Sequence, residues 1–140
     1  MKAASTLPFQ TVMIIDDNTI DMYVASRMMV KNNFAQNVQE YAFAQNALQY
    51  LKENENNADM LPQLMLVDIY MPVMSGFQFM EQYDKLSDTV KKNCKVFIVS
   101  SSIDENDISR ANSDKNVIAF HEKPVTKEFL EKIKAESNRG

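Results

Sequence analysis

Two glycines, one cysteine and one histidine are all that the 140 residues contain of those types. So little glycine excludes an open glycine-rich phosphate loop, which needs several backbone positions free of side chains. The single cysteine, Cys94, cannot form an internal disulfide, which fits a reducing compartment. It stands near Lys92 and Lys95, neighbours that lower a thiol pKa, yet a lone cysteine beside an apolar run reads first as structural. His121 has no second metal ligand near it in sequence and reads as structural or exposed. Clusters of lysine or arginine are missing as well. The formal net charge is −4, which excludes a general affinity for nucleic acid. No apolar run approaches the roughly 20 residues that cross a bilayer. The first eight residues, Met1 to Pro8, lack the apolar core of a secretory signal. Together these absences predict a soluble, cytoplasmic protein with neither membrane nor nucleic acid as a partner.

What is present fits one domain, residues 1–140, with a core over about residues 10–135. Ten methionines read as adaptable filler of that core rather than a partner surface. Short apolar runs at 11–15, 37–42, 64–68, 95–99 and 116–120 predict five strands. Several are continuously apolar, as strands covered on both faces must be. Amphipathic stretches alternate with them. Asn18 caps the first helix, with Asp21 three residues on reaching back to close a capping box. The second helix carries Ala44, Ala47, Leu48 and Leu51 on one face and fades into the polar loop 53–57. The third starts after Ser75-Gly76, with Phe77, Met80 and Tyr83 turned inward. The fourth, Asp104 to Ala111, is short, weakly apolar and the one most ready to shift. The fifth starts at Thr126 and buries Phe129, Leu130 and Ile133, and the tail from Glu136 frays. Strict alternation of this kind calls for an α/β fold, a doubly wound five-stranded parallel sheet of flavodoxin-like order 2-1-3-4-5 with helices on both faces.

Charged residues stand where three of the strands stop. Asp16-Asp17 follows Val12 to Ile15, Asp68 closes Leu64 to Val67, and Lys123-Pro124 follows the fifth strand. In the order 2-1-3-4-5 strands 1 and 3 are neighbours, so the acids meet at the sheet edge where such folds bind ligands. Alone, an acid pair is usually a helix cap or a solvated pair, and Lys-Pro is usually a turn. The ordered set is far more specific than any member.

That set resembles the receiver domain of two-component response regulators over nearly the whole chain. The family's acidic pair corresponds to Asp16-Asp17, its phospho-accepting aspartate to Asp68, its serine or threonine after strand 4 to Ser100, and its Lys-Pro to Lys123-Pro124. The loop Asp68-x-x-Met71-Pro72-x-Met74-x-Gly76 follows the family's turn. The aromatic switch position three residues before the lysine is Phe120, which keeps a ring without the usual hydroxyl.

The resemblance implies that Asp68 is the nucleophile that accepts a phosphoryl group. It also implies Mg²⁺ held by Asp17 and Asp68, by Asp16 mainly through water, and by the backbone carbonyl of Tyr70. Lys123 is implied as a point charge for the phosphoryl group, next to a cis Lys123–Pro124 bond, and Ser100 as a hydrogen-bond donor to it. Three neighbouring carboxylates repel by about 4 kcal/mol per unit pair at roughly 4 Å and an effective dielectric near 20, and a hard divalent cation relieves this. Ser100 and Phe120 would carry the change to a surface of the fourth helix, fifth strand and fifth helix, where a downstream protein partner binds or a weak dimer forms. The donor would be a histidine kinase or phosphotransfer protein docking on the first helix, Asp21 to Val30. Tyr70 and Ser102 occupy positions that tune the lifetime of the modified state. The sequence ends after the fifth helix, which predicts a stand-alone, non-enzymatic module.

Three rivals remain. An aspartyl-nucleophile phosphatase of the haloacid-dehalogenase kind wants Asp-x-Asp, and here Asn18 holds the place of its second acid. A flavin-binding module needs a first loop that attracts phosphate, which Asp16 and Asp17 repel. A degenerate receiver would serve only as a protein-docking module, although its site residues are complete.

Overall fold

The computed structural model describes residues 7–139. Its strands are β1 (Phe9–Ile15), β2 (Ala35–Tyr41), β3 (Leu64–Asp68), β4 (Lys95–Ser100) and β5 (Val117–Glu122). They form one parallel sheet in the order β2-β1-β3-β4-β5, the flavodoxin-like order expected. The helices are α1 (Thr19–Lys31), α2 (Ala44–Glu53), α3 (Gly76–Tyr83), α4 (Asp88–Asn93), α5 (Glu105–Ser113) and α6 (Lys127–Arg139), with a 3-10 turn at Ala58–Met60. The fourth and fifth helices expected from sequence are therefore α5 and α6.

Period-two alternation in the central strands separates two core layers. Met13, Ile15, Met65, Val67 and Ile98 face the side covered by α2, α3 and α5. Val12, Ile14, Leu66, Phe97 and Val99 face α1 and α6, meeting Met22, Ala25, Met29, Phe129 and Ile133. All five residues of β3 are buried, as the continuous apolar run required. Six methionines (13, 22, 29, 65, 71 and 80) are buried, so the methionine excess is core filler.

Three local expectations change. Residues 88–93 form α4, which no apolar periodicity announced because Val90 is its only buried side chain. Six residues are too few to hold a helix by propensity. The Ser87 cap, whose N–H and hydroxyl both donate to Glu55, anchors this one to the end of α2. The tail does not fray over Glu136 to Arg139, where α6 continues, and Gly140 lies outside the described residues. Glu136 meets the His121 ring at 2.6 Å, and buried Ser137 donates to the Ile133 carbonyl. Asp21 does not close a capping box. Asn18 caps α1 by accepting from the Asp21 N–H, but its own N–H goes to Asp16 Oδ1 at 2.9 Å, so the Asp21 carboxylate takes no part in the cap.

Candidate functional site

Strand register assembles the site. Ile15 pairs with Val67, so the next residues along, Asp16 and Asp68, emerge side by side at the carboxyl edge of the sheet. Asp68 pairs with Val99, and Ser100 follows it on β4. Beyond β5, the Lys123 N–H donates to the Ser100 carbonyl at 2.9 Å, so Lys123 enters the same cleft from the far side. Residues spread over more than 100 positions thus meet because four parallel strands end together.

Carboxylate oxygens of Asp16, Asp17 and Asp68 lie within 4.8 Å of one another. Asp16 and Asp68 are buried, while Asp17 faces solvent. The Lys123 ammonium sits over them, 2.6 Å from Asp16 Oδ2, 3.0 Å from Asp21 Oδ2 and 3.3 Å from Asp68 Oδ1. Burial pushes the Asp68 carboxyl up to about 6; the Lys123 charge pulls against this, and the Asp16 charge adds to it. Burial alone would lower the Lys123 pKa. Its hydrogen bonds to Asp16 and Asp21 and the charge of Asp68 outweigh that, so the net shift is upward and the ammonium stays charged. A cluster of hard oxygen donors under-neutralised by one lysine is chemically suited to a divalent cation with oxygen ligation.

The loop from β3 to α3 is shaped around Asp68. Ser75 and Gln78 close a capping box at the start of α3. The Gly76 N–H donates to the Ile69 carbonyl at 2.8 Å. A Cβ on Gly76 would overlap the Asp68 carbonyl oxygen and reach 3.0 Å from Ile69 Cα, so only glycine lets the loop close under the aspartate. Tyr70 points outward, and its hydroxyl donates to the Asp107 carboxylate on α5.

A family model described as "Response regulator receiver domain" matches residues 12–134, nearly the whole chain. The chain belongs to the response regulator receiver family. Among solved structures, a response regulator receiver protein from Dyadobacter fermentans is similar at 26% identity and a TM-score of 0.82, covering 92% of this chain and 98% of that one. A two component response regulator from Cytophaga hutchinsonii shares the fold at 22% identity and a TM-score of 0.85, covering 94% and 98%. A protein named as a two-component response regulator, ARR13 of Arabidopsis thaliana, is 29% identical over 87% of this chain. The chain spans only 20% of that relative's length. Receiver domains are in general signalling modules rather than enzymes, and they bind Mg²⁺ in an acidic pocket of the kind seen here.

In this receiver the remaining candidates fall as follows. Ser100 is 1% exposed, and its hydroxyl oxygen accepts from the Ser102 N–H at 3.1 Å. Phe120 is half-buried against the core layer under α3 and α5. The Lys123–Pro124 bond is cis, as expected. His121 is structural, packed between the rings of Phe97 and Phe129. Burial raises the Cys94 thiol to about 12, which keeps it protonated in spite of the nearby lysines. Asp21 is the site residue missed in the sequence: helix-cap grammar accounted for it fully, and nothing local marked it as a partner of Lys123. Among the described residues no helix is long and apolar enough to cross a membrane.

Proposed function

We propose that this receiver accepts a phosphoryl group on Asp68 from a phosphohistidine of a histidine kinase or phosphotransfer protein. A carboxylate oxygen of Asp68 forms a bond to phosphorus while the P–N bond to imidazole breaks, and the leaving imidazole nitrogen takes the bond's electron pair and then a proton. The observation that carries this reading is the meeting of Asp16, Asp17 and Asp68 within 4.8 Å beneath the Lys123 ammonium. Mg²⁺ held by Asp16, Asp17, Asp68 and the Tyr70 backbone carbonyl would supply the charge that shields these acids from an incoming phosphoryl group. Lys123 neutralises a phosphoryl oxygen, and the Ser100 hydroxyl donates to another. As Ser100 turns toward the phosphoryl group, Phe120 takes up the space, and α5, β5 and α6 present a changed surface to a downstream protein or to a weak second copy. The donor docks on α1, whose Ile20, Tyr23, Val24 and Val30 are exposed.

A phosphatase would need an acid where Asn18 stands, and the Asn18 side chain is committed to capping α1. Incubation with acetyl phosphate and Mg²⁺, followed by intact-mass measurement, tests the proposal. One added phosphate is expected in the parent and none in Asp68→Asn. An unmodified parent, or an equally modified variant, contradicts it.

A further inference from the structure

We propose that Asp21 is a positioning residue that holds Lys123 on the α1 side of the cleft while Asp68 is unmodified and releases it when Asp68 carries a phosphoryl group. This deepens the function proposed above and rests on it.

An ammonium has three N–H donors, and Lys123 has three carboxylates around it, on Asp16, Asp21 and Asp68. Hydrogen bonds to Asp16 and Asp21 hold two of those donors, and the third faces Asp68 Oδ1 at 3.3 Å. A phosphoryl oxygen on Asp68 stands farther out than Oδ1, so meeting it draws the ammonium outward and one of the other two carboxylates must yield. Asp16 is badly placed to do so. Its side chain is 6% exposed and its other oxygen holds the Asn18 N–H, so losing the lysine would strand a buried charge. Asp68 is the group being modified. The Asp21 side chain is 37% exposed, and water replaces the ammonium there at small cost. Asp21 also stands outside the three-acid cluster suited to a cation, so that cluster gives no reason for an acid at this position. Asp16 has taken the Asn18 N–H that a capping box would have assigned to Asp21, and the Asp21 carboxylate meets Lys123 instead. Asp21 therefore competes with the phosphoryl group for Lys123, and it disfavours the modified state.

The test is Asp21→Asn in the full chain, alone and combined with Lys123→Met. The cap at the start of α1 uses the Asp21 backbone N–H, so the substitution leaves it in place. In the reaction with acetyl phosphate an Asp68 oxygen bonds to phosphorus as the P–O bond to acetate breaks and acetate departs with the electron pair. Two readouts are taken: the rate of mass gain, and the affinity for beryllofluoride in Mg²⁺, which needs no covalent step. Asp21→Asn is expected to raise both about fivefold, the scale of a half-exposed ion pair. In the Lys123→Met background it is expected to change neither. An unchanged or slower single variant overturns the proposal. So does an increase that persists without Lys123, because general charge repulsion would then explain it. A parent that neither gains phosphate nor binds beryllofluoride overturns the proposed function itself, a result distinct from either outcome for Asp21.

Discussion

Val73 sits in the turn beneath Asp68 with φ 70°, the left-handed region, and is 81% exposed. A β-branched residue there costs about 1–2 kcal/mol, because Cβ crowds the following carbonyl. Val73→Asn is expected to raise stability by about 1 kcal/mol in thermal or urea unfolding, and a destabilised variant would show that the valine makes compensating contacts. Asp68 carries a different penalty. Its folded pKa of about 6 lies above the ordinary 3.8, so the folded state holds the proton more tightly than the unfolded chain. Ionised Asp68 therefore destabilises the fold fully above pH 6, and the penalty disappears as pH falls toward 4. In the presence of a chelator, Asp68→Asn is expected to be about 2–3 kcal/mol more stable than the parent at pH 7.5, with the gap closing by pH 4. A gap that stays constant with pH would contradict this. At this scale Asp68, Asp16, Asp17 and Lys123 were legible in the sequence, because each stands where an apolar run stops. Asp21 was not, since a capping role explained it without reference to Lys123, more than 100 residues away.

Among the elements, α5 is loosely built for its length. Ala111 is its only buried residue, so side-chain clasps fix its position more than core packing does. Tyr70 in the Asp68 loop donates to Asp107, and Arg110 stacks 4.3 Å over the Phe77 ring while reaching Glu81 at 3.5 Å. The loop that carries Asp68 is thus tied directly to a helix of the proposed output surface. Tyr70→Phe removes one clasp, and amide exchange over Glu105–Ser113 should quicken about fivefold while α2 and α3 keep their rates. Equal exchange in α5 would mean that Asp107 does not restrain it. The weakness of this helix was readable from its thin apolar pattern and its Asp104 cap. The clasps were not, because they join residues 29 to 37 apart in sequence. Short α4 and the last turn of α6 escaped for the same reason: Glu55 holds one and His121 the other, both from outside the element.

For the molecule as a whole, strand order matters more than any single contact. The order β2-β1-β3-β4-β5 places β1 beside β3 and β4 beside β5, so the acids at the ends of β1 and β3 and the lysine after β5 meet at one edge although no two of those three strands are consecutive in sequence. That order followed from alternation of strand and helix, and the burial of β3 on both faces agrees with it. The central claim is that this edge makes Asp68, and none of its acidic neighbours, the acceptor of phosphate. An acyl phosphate on aspartate is cleaved by borohydride to homoserine, which marks the modified position permanently. After treatment with acetyl phosphate, Mg²⁺ and borohydride, peptide mass spectrometry should find homoserine at position 68. Homoserine at 16, 17 or 21, or at no position in a protein shown to be folded, would contradict the account.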